Sequence, residues 1–444
     1  MKVGMISLGC AKNLVDTETM LGILSEDGWE LTADPATADV LIVNTCAFIE
    51  SAKEESITTV IEMADYKDSG RCRALILAGC LAERYGKELL DELPEVDAIV
   101  GAGSWHRIKE GISAALRGNR VVITGDGKIL YDAHSPRVRT TPQYTAYIKI
   151  AEGCNHACAF CAIPLIRGHY RSRKIEDIVE EAEKLANDGV SEINLIAQDT
   201  TYYGTDIYGK ASLAQLLKEL VKIDKVSWIR VLYSYPKNFT DELIEMFKTE
   251  PKILKYVDLP LQHADNDILK KMGRPDTKES VETLLSKIRR EIPDVTIRTT
   301  FLVGFPGETE AAFENLVDFV KNQKFDKAGV FSFSKEEGTR AAKMSDEVPD
   351  EVKEERYHKL MSVQGKISET VNESIEGKIF DVLVEGINTS ENVAVGRSYR
   401  EAPEVDGNVY IENAGNLSEG EIVKVRVLQG FAYDVVGELL KEDV

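Results

Sequence analysis

No stretch of this 444-residue chain approaches the ~20 consecutive apolar residues of a membrane crossing, so no membrane association is expected. The start, Met1 to Ser7, lacks the features of a secretory signal and reads as a first strand. With no targeting segment, seven cysteines, an odd number, point to ligand thiols in a reducing cytoplasm rather than to a disulfide framework. Positive charge is scarce. Lys and Arg number 54 against 75 Asp and Glu, a formal net charge of −21. Broad nucleic-acid binding needs basic side chains to displace counterions from phosphates, so direct nucleic-acid readout is not expected. A basic protein partner suits such a field better. The dinucleotide fingerprint is missing too, because Gly101-Ala-Gly103 meets His106 where the third glycine should stand. Apolar residues are plentiful: at 43% they can fill real cores, and the length suggests two to four domains.

The strongest chemical signal is Glu152-Gly-Cys154-Asn-His-Ala-Cys158-Ala-Phe-Cys161-Ala-Ile-Pro164, which follows the apolar strand Ala146–Ile150. Cysteines at C-x3-C-x2-C spacing can wrap one corner of an iron–sulfur cube, whose irons are held by thiolates. A cube has four irons, so one is left for a substrate offering a carboxylate and an amine, as S-adenosylmethionine does. An electron passed into its sulfonium would break a carbon–sulfur bond and release a carbon radical. Structural zinc is the competing reading, but it wants four Cys or His ligands, and His156 is cramped between Cys154 and Cys158. Chance spacing is the third.

Residues 1–123 repeat a pattern of strand, cysteine and helix at a period near 35 residues. Lys2–Leu8 leads to Cys10, Val40–Asn44 to Cys46, and Ala74–Ala78 to Cys80, with helical text over Asp16–Ser25, Glu50–Ala64 and Leu81–Leu93. Short, unalternating apolar runs suit strands buried on both faces of an open parallel sheet. Ligands of such sheets bind at the carboxyl edge, where Cys10, Cys46 and Cys80 would converge and helix N-termini would favour an anionic cluster. A second three-cysteine cluster is therefore expected, the alternative being ordinary buried thiols. Cys72 falls outside the pattern. Residues 124–143 read as a linker, with Arg137 and Arg139 on a solvated loop.

Residues 144–372 alternate six strands with helices, too few for a closed eight-stranded barrel, so a partial (β/α)6 barrel is expected with its site at the strand carboxyl ends. Gln198, Asp199, Tyr233, Tyr235, Gln262, His263 and the Gly304-Phe-Pro-Gly307-Glu308 turn lie there. His263 alone is more simply a satisfied buried histidine. Arg230 and Arg298 lie within strands and would pair either a ligand carboxylate or an internal acid. The basic run Arg167–Lys174 either steers an acidic group or is solvated. A charged helix follows, and residues 373–444 read as five short strands of a small β-barrel. From 375 onward this module holds fourteen acidic against six basic residues, a nucleic-acid-binding shape with the wrong charge.

Taken together, Leu8-Gly-Cys-Ala-Lys-Asn-Leu-Val-Asp-Thr-Glu18, Asn44-Thr-Cys46, Tyr147 through Pro164, Leu259-Pro-Leu-Gln-His263 and Arg298 through Glu308 resemble the radical S-adenosylmethionine methylthiotransferases over essentially the whole chain. The resemblance is closest to the members that modify a ribosomal-protein aspartate. Transfer-RNA members typically carry Gln-Met-Asn after the first cysteine and a basic tail, where this chain has Ala11-Lys12-Asn13 and an acidic one. The resemblance implies an α/β chain with an N-terminal cluster domain, a radical S-adenosylmethionine core and a TRAM-like barrel. It implies two 4Fe-4S clusters, on Cys154, Cys158 and Cys161 and on Cys10, Cys46 and Cys80. S-adenosylmethionine serves twice, as radical source and as methyl donor, with Phe160 placed to pack on the adenine; from their strand positions Gln198, Arg230 and Arg298 are the further candidate contacts. The implied product is β-methylthioaspartate in small-subunit ribosomal protein twelve, which needs an external one-electron donor and a sulfur source. A transfer-RNA adenosine methylthiotransferase, and a non-catalytic iron–sulfur protein that docks on ribosomes, are the alternatives.

Overall fold

The computed structural model describes residues 1–440 except Asp126 and Lys128. At the N-terminus, β1 (Lys2–Ser7), β2 (Glu30–Leu31), β3 (Val40–Thr45), β4 (Ala74–Gly79), β5 (Ala98–Gly101) and β6 (Val121–Ile123) form one sheet. Its order is β2-β1-β3-β4-β5-β6 and every pairing is parallel. The helices α1 (Ala11–Glu26), α2 (Glu50–Ser69), α3 (Cys80–Glu92) and α4 (Ile108–Leu116) follow β1, β3, β4 and β5. β3 and β4 are buried at every position, as their apolar text requires. The first helix starts at Ala11, earlier than its sequence suggests. Its polar residues Lys12, Asn13, Asp16, Thr17 and Glu18 are buried, so no solvated face marks its start.

The central region runs β7 (Thr145–Lys149), β8 (Ala151–Glu152), α5 (Ile163–Arg167), β9 (Arg171–Ser172), α6 (Ile175–Asn187), β10 (Glu192–Ile196), α7 (Leu213–Leu220), β11 (Trp228–Val231), α8 (Asp241–Thr249) and β12 (Tyr256–Gln262). It continues through α9 (Asn266–Lys271), α10 (Lys278–Glu291), β13 (Thr296–Val303), α11 (Glu310–Gln323), β14 (Lys327–Ser332) and α12 (Asp350–Glu373). The six principal strands form two parallel ladders of three, β11-β10-β7 and β12-β13-β14. Between the ladders, Tyr233 and Ser234 donate their backbone N–H groups to Asp258, to its Oδ2 at 2.9 Å and its carbonyl at 3.0 Å. The curved sheet is an open half-barrel wrapped by helices. Its core includes Ile148, Leu195, Val231, Leu259, Phe301 and Val330, all buried.

The C-terminal strands β15 (Ile379–Asn388), β16 (Val393–Arg397), β17 (Val409–Glu412), β18 (Ile422–Gly430) and β19 (Val435–Leu439) close into a barrel in the order β15-β16-β17-β19-β18. The chain is thus α/β with a small closed β-barrel at its end. Among the described residues no helix is long and apolar enough to cross a membrane.

The segment 124–143, two of whose residues lie outside those described, holds no helix or strand among the rest. It is not a solvated loop throughout, which corrects the expectation for Arg137. That guanidinium is buried between α1 and α6, donating to Glu18 Oε2 at 2.6 Å, Glu181 Oε1 at 2.7 Å and the Tyr147 carbonyl at 2.8 Å. The two carboxylates repay its desolvation.

Candidate functional site

β1, β3 and β4 are neighbours in the sheet, and each is followed closely by a cysteine. Adjacent strands lie about 4.8 Å apart, so the topology alone brings Cys10, Cys46 and Cys80 to one edge. Two glycines permit the final approach. Gly9 (φ 89°) leaves room where a Cβ would meet Cys46 Cβ at 2.9 Å and Sγ at 3.1 Å. Gly79 (φ 91°) does so where a Cβ would meet Asn44 Oδ1 at 2.2 Å and the Thr45 carbonyl at 2.6 Å. Asn13, in the first turn of α1, ties the edge together. Its Nδ2 donates to the Leu8 carbonyl at 2.7 Å and the Thr45 carbonyl at 3.3 Å, and its Oδ1 lies 4.0 Å from Cys80 Sγ.

Cys154, Cys158 and Cys161 sit on the loop between β8 and α5. Ala159 N–H donates to the Met272 carbonyl at 2.7 Å, and Ala341 N–H to the Ala159 carbonyl at 2.8 Å, which pins the loop from both sides. His156 is turned elsewhere: its Nε2 meets Asp199 Oδ2 at 2.6 Å, and its ring stacks on Tyr235 with centroids 4.0 Å apart. The donor set is therefore thiolate alone, which suits iron–sulfur chemistry. Among the described residues no three His, Cys, Asp or Glu side chains could hold a single metal ion. A cube makes a different demand, spreading its thiolates over separate irons.

A buried polar cluster joins the trios. Arg167, at the end of α5 and six residues past Cys161, donates from Nη2 to Cys80 Sγ at 3.3 Å and to Asn13 Oδ1 at 3.2 Å. Its Nη1 donates to Asp16 Oδ2 at 2.7 Å and Glu152 Oε2 at 3.2 Å. Lys149 pairs with Asp16 and, at 2.6 Å, with Glu152 Oε2. Two cations and two anions thus balance in the interior. The helical text before Arg167 carries it back to the N-terminal sheet, where Ile166 packs in one apolar cluster with Leu81. Within the basic run Arg167 is consequently neither solvated nor free to steer, whereas His169 and Lys174 are exposed. Arg173 is also buried, on Asp177 at 2.7 Å and Glu181 at 2.5 Å.

The thiols feel these surroundings. Burial pushes Cys80 up to about 12 against the opposing pull of Arg167, Cys161 up to about 12 and Cys154 up to about 11. Burial would raise Cys10 as well, but Lys12 and Arg167 outweigh it and leave that thiol lowered. Loading a cluster would displace protons from the raised thiols.

A cavity of about 480 Å³ is lined by residues of all three domains, Cys10 among them. Cys10 and Gly9 line one side, and Phe160, flanked by Cys158 and Cys161, lines another. Tyr233, Asp258 and Arg298 lie in its wall, and the turn Pro403–Val405 reaches it from the third domain. Of the expected cofactor contacts, Phe160 and Arg298 are thus at the cavity. Arg298 is already paired, with Asp258 Oδ1 at 3.1 Å and Asp406 Oδ1 at 3.5 Å. Gln198 is held by Glu152 Oε1 at 3.2 Å, at the cluster-loop end of β10. Arg230 corrects the expectation. Fully buried, it donates to the Tyr399 carbonyl at 2.8 Å and Glu192 Oε1 at 3.4 Å, so the acid it pairs is internal. His263 is the satisfied histidine expected, with Nε2 on Glu308 Oε1 at 2.8 Å.

Sequence reasoning placed Tyr235 at the strand carboxyl ends but missed Arg274 and Asp276. Arg274 covers the Tyr235 ring at 4.2 Å and bears electrostatically on Cys154 and Cys161. Tyr235 Oη, Arg274 Nε, Asp276 Oδ2 and Gln198 Oε1 are buried without a hydrogen-bond partner among the described residues. Orphaned polar atoms close to a trio of thiols are what a polar organic cofactor would satisfy. The signal available was Met272-Gly-Arg274-Pro-Asp276, whose glycine has φ 74°.

Three family models match: Uncharacterized protein family UPF0004 over residues 2–101, the Radical SAM superfamily over 148–320 and the TRAM domain over 377–440. The chain is 52% identical over 439 residues to the Ribosomal protein uS12 methylthiotransferase RimO of Desulforamulus reducens, covering 98% of this chain and 99% of that protein. The protein of the same name from Clostridioides difficile is 49% identical, covering 100% and 99%. Among solved structures, the radical S-adenosylmethionine methyltransferase TsrM of Kitasatospora setae shares the fold at a TM-score of 0.54 and 16% identity, over 74% of this chain and 72% of that one. The radical S-adenosylmethionine core carries with it a 4Fe-4S cluster and S-adenosylmethionine. Sequence, domains and fold agree, and the chain belongs to the RimO family of methylthiotransferases.

Proposed function

We propose that this chain inserts a methylthio group at the β-carbon of an aspartate of ribosomal protein uS12, the substrate in its relatives' name. The observation that carries the reading is that Cys10 and Phe160, one from each cysteine trio's surroundings, line the same cavity. Cys154, Cys158 and Cys161 would hold the cluster that cleaves S-adenosylmethionine, and Cys10, Cys46 and Cys80 an auxiliary cluster. When bound, the first would supply the one-electron chemistry that cleaves S-adenosylmethionine, and the second would supply iron–sulfur chemistry for the methylthio group.

The chain's own residues position and shield. Phe160 packs edge-on against Phe305, and Phe305 against Phe333, forming an apolar wall that keeps water from a reactive carbon. Arg274, Tyr235 and the His156–Asp199 pair present fixed donors and acceptors beside the cluster loop. Arg167 and Lys12 supply positive charge to Cys80 and Cys10, offsetting the charge that thiolates would bring into a buried edge. No side-chain base is assigned to the hydrogen step, because an unactivated C–H bond is beyond the reach of a carboxylate or imidazole.

The test is anaerobic reconstitution followed by iron counting and product analysis. Wild type is expected to bind about twice the iron of a Cys154/Cys158/Cys161→Ala variant, and to release 5′-deoxyadenosine with methylthio incorporation into uS12. Incorporation into bulk transfer RNA alone rejects the reading. So does an absence of 5′-deoxyadenosine when reduced enzyme meets S-adenosylmethionine.

A further inference from the structure

The rim of the cavity is more apolar than the chain's own stability requires. Phe48, between β3 and α2, is 43% exposed; Phe331, on β14, is 46% exposed; and Val405, between β16 and β17, is 54% exposed. Each comes from a different domain, yet all three line the one cavity. Large side chains left in water around a concave opening mark a surface that is covered in use.

Beside Val405 stands Glu404, exposed and in the left-handed backbone region at φ 66°. That conformation is strained for a non-glycine residue. The turn is held there from the central domain. Asp406 accepts from Tyr256 Oη at 2.6 Å and from Ala402 N–H at 2.9 Å, and it pairs with Arg298 Nε at 3.5 Å. Glu404 itself forms no ion pair among the described residues. The third domain thus places an unneutralised carboxylate and an apolar side chain at the entrance, and anchors them to the arginine in the cavity wall.

We propose that Phe48, Phe331, Val405 and Glu404 form the docking surface for the substrate polypeptide, the apolar three gripping residues that flank the target aspartate and Glu404 pairing a Lys or Arg of the same loop. This rests on the functional reading above and adds to it the residues that select the substrate. The favoured occupant is a basic polypeptide because the chain carries −21 and its last module is acidic, so charge draws in a cationic loop and repels a phosphate backbone. The mouth is built from three domains, so an occupant would contact them together. A folded protein loop suits that, with an apolar contact from each domain and an ion pair beside the one from the third.

Anaerobically reconstituted full-length enzyme titrated with fluorescently labelled uS12 tests this by anisotropy, at low and high ionic strength. Glu404→Lys is expected to weaken binding about tenfold at low salt, with the gap closing as salt screens the pair. Phe48→Ser, Phe331→Ser and Val405→Ser are each expected to weaken it about tenfold at either salt, since the lost contact is apolar. Ile207→Ser, at a residue 42% exposed but outside the cavity, should bind as wild type does. Thermal unfolding midpoints matching wild type show that the variants are folded. Wild-type affinity in all four mouth variants overturns the docking surface and leaves the functional reading standing. So does a loss in Ile207→Ser equal to theirs. A wild type that binds bulk transfer RNA but not uS12 overturns the functional reading, and this inference with it.

Discussion

Arg167 shows how much one side chain can carry. It touches a thiol of the N-terminal trio, shares Asp16 and Glu152 with Lys149, and ends the short helix that begins beside Cys161. Removing one partner of a buried, balanced set leaves the others charged and unpaired, at a cost of about 3–5 kcal/mol. Arg167→Ala should therefore lose stability on that scale in chemical denaturation of the cluster-free protein. Arg167→Lys keeps the charge but not the fork, and should recover part of the loss. Nothing local announced this role. Arg167 lies in a basic run that reads equally well as solvated, and Asp16 is 151 residues away. The cysteine spacing was legible because its chemistry is contained in eight consecutive residues; the charge balance was not, because it is made across domains.

Among the elements, the start of α2 at Glu50 was legible in the sequence and that of α1 was not, and the burial of α1 explains why. A helix is recognised by one apolar and one polar face, but α1 is covered on both, so its buried Lys12 and Asn13 read as loop ahead of the helical text. β3 and β4, buried throughout, match their unbroken apolar text. The turns after the strands do the rest. Gly79→Ala would force a left-handed alanine whose Cβ meets Asn44 Oδ1 at 2.2 Å and the Thr45 carbonyl at 2.6 Å. It should displace Cys80 from the sheet edge. The expected result is loss of about half the reconstituted iron, with release of 5′-deoxyadenosine retained from the central site. Iron analysis beside that assay checks it, and full iron in the variant would count against the N-terminal trio as ligands.

Across the whole molecule, the third domain is clasped to the central one by Glu192. Its carboxylate accepts from Arg397 Nη2 at 2.7 Å and Nη1 at 3.1 Å, and from Arg230 at 3.4 Å. Burial alone would raise this carboxyl, but Arg397 and Arg230 outweigh it and hold it at about 2. A depressed folded-state pKa stabilises above the unfolded value of roughly 4.3, and that stability is lost as pH falls toward the folded value. Acid should therefore loosen this contact between roughly pH 4.3 and 2, costing on the order of 3 kcal/mol. Glu192→Gln should flatten that part of the stability–pH curve and lower stability at neutral pH by about 3–5 kcal/mol, because two buried arginines lose their counter-charge. Urea unfolding across pH measures both. The sequence left open whether Arg230 meets a ligand or an internal acid; the pairing of β10 with β11 brings Glu192 to it, and the docked barrel closes the site with the Tyr399 carbonyl.

The sequence by itself determined the chemistry: two sets of thiols, their spacing or strand-end placement, an acidic surface, and three successive folding textures. Those follow from residue type and short-range periodicity, which no tertiary contact can alter. The tertiary structure decided which charges are spent internally and which are left for a partner. Arg137, Arg167 and Arg230 are neutralised by acids far along the chain, whereas Glu404 is held at the cavity mouth without a counter-ion among the described residues. The reason is physical: an ion pair depends on distance in space, and a chain of this length brings together residues whose separation in sequence carries no trace of it.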